Sequence, residues 1–87
     1  MSSKITNECR DSLLSAMEEK LDTRDKRFMF LKMEFKELVS RIDLEGSAHQ
    51  TAWNIFVEFE KQCMLGSLIA CLNSKLNTDI LLTTNPH

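Results

Sequence analysis

Between Arg27 and Asp43 the chain carries more apolar residues than one buried helix face can hold. The stretch reads RFMFLKMEFKELVSRID, and Phe28, Leu31, Phe35, Leu38, Val39 and Ile42 recur at spacings of three, four and seven. That is the pattern of a helix with one inward stripe. At about 100° per residue, Met29, Met33 and Phe30 then fall about 100°, 140° and 200° from Phe28, on the far side. A surface helix should be polar there. Either other helices wrap this segment on several sides, or the surplus is a surface for a partner. A break into two helices would also explain it, and the spacing leaves that choice open.

Helices dominate the rest of the reading. Two Gly and one Pro in 87 residues leave few turn formers, which argues against a β-sandwich. Hydrophobic residues make up 43% and charged residues 28%, a balance that folds rather than stays disordered. The length fits one small domain, residues 1–87 with a core from about 5 to 82, or one module of a longer chain. Ile5, Cys9, Leu13, Met17 and Leu21 form a ladder at four-residue spacing, which predicts a first helix from Ile5 to Leu21. Asp22 or Thr23 can cap the second helix, near Arg24, by accepting from its free N–H groups. Gly46 marks a loop and Ser47 the cap of a helix from Ala48 to Cys63. Gln62 to Gly66 reads as a tight turn pivoting on Gly66, followed by a stripe of Leu65, Leu68, Ile69, Leu72 and Leu76. Asn73 and Asn77 interrupt, Asp79 to Leu82 reads as a short last helix, and Thr83 to His87 should fray. The sum is an all-α bundle of five or six short helices.

Chemistry-bearing motifs are scarce. His49 and His87 have no second histidine or cysteine at metal spacing, so neither a metal nor a cofactor is expected. No phosphate-cradling glycine loop, zinc-protease helix or nucleophile elbow occurs, and no catalytic residue is assigned. Cys9, Cys63 and Cys71 are an odd number without a CxxC pair and read as buried free thiols. A net charge of −2 gives no overall pull toward nucleic acid, and no apolar run reaches the roughly 18 residues a bilayer requires. MSSKITNECR lacks a basic head with an apolar stretch after it, so a cytoplasmic protein is expected. Charge is unevenly spread, however. Lys20, Arg24, Lys26, Arg27, Lys32 and Lys36 face only Asp22, Asp25 and Glu34 in the same stretch. Glu37, Asp43, Glu45, Glu58 and Glu60 then stand against Arg41 alone. A basic face on one copy could meet the acidic face of another, head to tail, in an interface that need not close.

LLSAMEEKLDTRDKRFMFLKMEF, from Leu13 to Phe35, resembles the first two helices of a death effector domain. The shared features are an apolar first helix, the Leu21-Asp22-Thr23 connection and a Phe30-Leu31 pair followed by Glu34-Phe35. WNIFVEFEKQCML resembles the fourth helix of that family and the segment after it, and LIACLNSKLNTDILL the fifth and sixth. The resemblance implies a compact six-helix antiparallel bundle of the death-fold type. It also implies a non-catalytic module that assembles adaptors and initiator caspases in apoptosis or innate immunity by binding like domains, itself included. Phe30 would then be the anchor, with Leu31 turned toward the core. Met29, Met33, Lys26 and Arg27 would border the contact. Asp79 and Glu34 occupy positions of a charge network in the family, but Asn77 stands where the family has arginine, so the network is incomplete. Trp53 early in the fourth helix is similar to some caspase recruitment domains, a sister group that associates through charged faces. A caspase recruitment module or an obligate helical homodimer is therefore the alternative. Docking through Phe30 requires its ring to face outward.

Overall fold

The computed structural model describes residues 5–84. Three of the helix starts are set by a hydroxyl. Thr6 accepts from Cys9 N at 3.1 Å and opens α1, Asn7–Lys20. Thr23, rather than Asp22, accepts from Lys26 N at 3.2 Å and opens α2, Arg24–Glu34. Ser47 accepts from Gln50 N at 3.1 Å and opens α4, Ala48–Lys61, after Gly46 has turned the chain at φ 107°. These bonds satisfy backbone donors that a helix leaves free at its start. Between α2 and α4 lies a single turn of helix, α3, Lys36–Val39, and the last helix is α5, Leu65–Lys75.

The choice that the spacing left open falls to two helices, broken at Phe35, where φ −143° and ψ 56° leave helical geometry. The break lets the Phe35 ring meet Phe59 edge-on at 4.7 Å between centroids, with Phe30 on its other side at 6.1 Å. Such edge contacts stabilise by about 0.5–1.5 kcal/mol beyond area burial. Around this cluster the core gathers Leu13 and Met17 of α1, Leu31 of α2, Ile55 of α4, and Leu68 and Leu72 of α5, all sealed from solvent. Helix α1 packs chiefly on α4, as its buried ladder of Cys9, Leu13 and Met17 requires.

One buried group in that core is charged. Arg27 is 3% exposed, and its guanidinium donates to three carbonyls. Nε donates to Leu21 O at 2.9 Å, Nη1 to Leu44 O at 3.1 Å and Nη2 to Asp22 O at 3.2 Å. The first and third belong to the α1–α2 turn, the second to the loop before α4. The arginine thus ties two irregular segments to one helix, and in the interior it satisfies the carbonyls of Leu21 and Leu44, both buried residues. Because it points inward, the buried stripe of α2 is Arg27, Phe30 and Leu31, not the stripe centred on Phe28. Phe28 is only half-buried, flanked by Arg24 at 5.7 Å and Lys32 at 5.6 Å from its ring.

Two further expectations fail at chain reversals. The pivot after α4 is Cys63, not Gly66, which lies inside α5. Cys63 has φ 59°, while its N–H donates to Glu60 O at 3.1 Å and Met64 N to Phe59 O at 2.8 Å. That is the Schellman arrangement, in which a left-handed residue closes the helix end. Cys63 is therefore exposed rather than buried; Cys9 is buried, Cys71 half-buried, and all three thiols are free.

The expected sixth helix does not form. Asn77 at φ 56° ends α5, and residues 77–83 have no regular secondary structure. The Asn73 side chain replaces what a helix would supply. Its Oδ1 accepts from Ile80 N at 2.9 Å and from Thr78 Oγ1 at 2.7 Å, and its Nδ2 donates to Ile80 O at 2.9 Å. Thr83 does not fray either. Its carbonyl accepts from Thr6 N at 3.0 Å, and Ile5 and Thr84 form an isolated antiparallel bridge. The described residues thus make a mostly helical globule with five helices and no named strand.

Replacing Arg27 by Met keeps much of the volume but strands the carbonyls of Leu21 and Leu44, a loss of about 2–4 kcal/mol. The guanidine midpoint followed by far-UV circular dichroism should fall accordingly, and Arg27→Lys should recover little of it. Cys63→Gly should act the other way. Relief of about 1–2 kcal/mol of left-handed strain outweighs about 0.5–1 kcal/mol of added chain entropy, so the melting temperature should rise.

Candidate interaction surface

The end of α1, the outer side of α2 and the end of α5 enclose a shallow, mainly apolar groove of about 480 Å³. Leu21 and Leu76 form its walls and Phe30 its floor, while Met29 and Met33 stand at its lip. Helical spacing explains the division. With Arg27 and Leu31 inward, Phe30 falls roughly 60° from Arg27, whereas Met29 and Met33 fall roughly 200° and 240° from it. Met29 is 53% exposed and Met33 72% exposed. Phe30 is 8% exposed.

Phe30 is therefore a core residue, and its ring does not face outward as docking on it would require. Arg27, expected to border the contact, is buried as well, and its hydrogen bonds all go to its own chain. The methionines keep the places their spacing assigned them. An arginine on the buried stripe was the missing signal. Arginine reads as a surface residue unless its acceptors are known, and Leu44 O comes from a distant loop.

Charge around the groove is uneven. Lys20, Lys26 and Lys75 line it, with Glu34 as the one acid. Lys26 is paired with Asp22 at 3.0 Å, and that ammonium holds the Asp22 carboxyl below its ordinary range. Lys20 and Lys75 have no ion-pair partner among the described residues. Arg24 of the same basic stretch pairs with Glu45. With Arg27 buried as well, three of the six basic residues from Lys20 to Lys36 are engaged within the chain. Glu34 accepts from the Cys71 thiol at 3.8 Å. Burial, then the Glu34 charge, push that thiol above its ordinary range.

Asp79 is exposed and lines a separate, polar depression with Asp11 and Glu19, so it is not part of the groove beside Glu34. A third depression opens at the α2–α3 break, bordered by Lys36, Arg41 and Met64. His49 is exposed, with Nδ1 2.9 Å from Glu18 Oε2, linking the start of α4 to α1. Among the described residues no three His, Cys, Asp or Glu side chains gather as a metal site would need. No described helix is long and apolar enough to cross a membrane.

Comparison with known proteins returns no matching family model, no matching curated protein and no matching solved structure. The likeness to death effector domains thus rests on the motifs quoted above.

The thiols offer a check on this geometry. Cys63 should alkylate first, Cys71 more slowly, and Cys9 only as the domain opens. A raised thiol releases its proton only at higher pH, so Cys71 labelling should rise later with pH than that of a free thiol. Glu34→Gln removes the nearby charge and should shift the Cys71 rate profile toward lower pH, read by peptide mass mapping.

Proposed function

We propose that this chain is a non-catalytic, homotypic interaction module of the death-fold type, docking through the α2 groove rather than through Phe30. The observation that carries the reading is the pair Met29 and Met33, exposed at the lip of an apolar groove rimmed by lysines. Its occupant is an apolar side chain with a carboxylate close by, which fits both the floor and the unpaired Lys20 and Lys75.

The chain presents such a feature on α4, where Val57 is exposed and Glu60 follows three residues later on the same side. The groove of one copy receiving α4 of the next is a heterologous contact, which repeats into an open chain unless its rotation closes. By the resemblance of Leu13–Phe35 to death effector domains, the biological setting is assembly of adaptor and caspase complexes in apoptotic or innate-immune signalling. The absent sixth helix and the inward Phe30 set this chain apart from that family's pattern, and both leave the groove intact.

Burying a methionine side chain is worth about 1.5–3 kcal/mol when complete. Met29→Glu with Met33→Glu should therefore weaken self-association by roughly tenfold or more. Far-UV circular dichroism and melting temperature should stay near wild type, because neither side chain is in the core. Light scattering across protein concentrations reads the result. Association that survives the double change but vanishes in salt would favour charged faces of the caspase recruitment kind instead.

A further inference from the structure

We propose that the lip of the α2 groove is a peroxide-sensitive switch, in which oxidation of Met29 and Met33 to sulfoxides closes the groove to its partner. The inference rests on the interaction reading above and concerns the regulation of that same surface. Four-residue spacing places both thioethers on one side of α2, opposite Arg27 and Leu31. More than half the surface of each is open to solvent. Met17, by contrast, is sealed in the core, and Met64 is half-buried at the α2–α3 break, outside the groove. An oxidant therefore reaches the docking residues while the core stays shut.

Leucine at either position would give similar apolar area without this chemistry. The thioether is the apolar side chain that a mild two-electron oxidant makes polar and that a cell can restore. The sulfur lone pair attacks one oxygen of a hydroperoxide, the O–O bond breaks and an S–O bond forms. Sulfur is oxidised by two electrons and hydrogen peroxide is reduced to water. The new oxygen is a strong acceptor that holds water or a lysine ammonium at the lip, where the partner's apolar side chain would have to displace it. Because neither methionine supports the fold, the change acts on docking and leaves the bundle standing.

The test treats the full chain with hydrogen peroxide, maps oxygen addition by peptide mass spectrometry and follows self-association by light scattering. Met29 and Met33 should oxidise well before Met17, association should weaken at least about tenfold, and circular dichroism should not change. Methionine sulfoxide reductases should restore association. Met29→Leu with Met33→Leu should associate like wild type and ignore the same peroxide dose. Full association by a chain oxidised at both positions, or equal peroxide sensitivity in the leucine variant, would overturn the switch. An untreated wild-type chain that stays monomeric at every concentration would remove the docking surface, and the switch with it.

Discussion

The guanidinium of Arg27 organises the molecule. Its donors meet two carbonyls of the α1–α2 turn and one of the loop before α4. A charge this deeply buried is tolerable only because each nitrogen of its fork is matched by an acceptor. In a domain this small, where net stability is a few kcal/mol above zero, few single contacts bear so directly on the fold. Its consequence is rotational. With Arg27 inward, α2 is fixed about its axis, Phe30 and Leu31 enter the core, and Met29 and Met33 are left outside.

That rotation joins fold to function. A helix turned so that Phe28 rather than Arg27 faced the core would have exposed Phe30. The observed register instead makes Phe30 the floor of a groove and the two methionines its lip. The break at Phe35 contributes by placing that ring against Phe59, which ends α2 and with it the apolar surplus. What would have been a continuous sticky helix becomes a short one with a confined apolar lip. Flexible thioethers at such a lip adapt to more than one partner shape.

Local chemistry was legible in the residues; distant partners were not. The caps at Thr23 and Ser47 and the Cys9–Leu13–Met17 ladder depend on groups three or four residues apart, which periodicity reads directly. The exposed positions of Met29 and Met33 were legible as well. Phe30 was misplaced because the stripe's centre is an arginine whose acceptors lie elsewhere in the chain. The last helix is absent because Asn73, seven residues before Ile80, supplies the bonds that hold that segment out of a helix. The Cys63 turn was hidden because a left-handed cysteine is uncommon where glycine stands nearby.

The methionine methyl groups report on both the register and the docking. In ¹³C-methyl spectra, Met29 and Met33 should be quenched by a soluble paramagnetic agent in dilute protein while Met17 is spared. As concentration rises, the same two signals should shift and become protected in step with the growth in mass. Protection of Met29 and Met33 in the dilute monomer, or association that leaves both unmoved, would contradict the account.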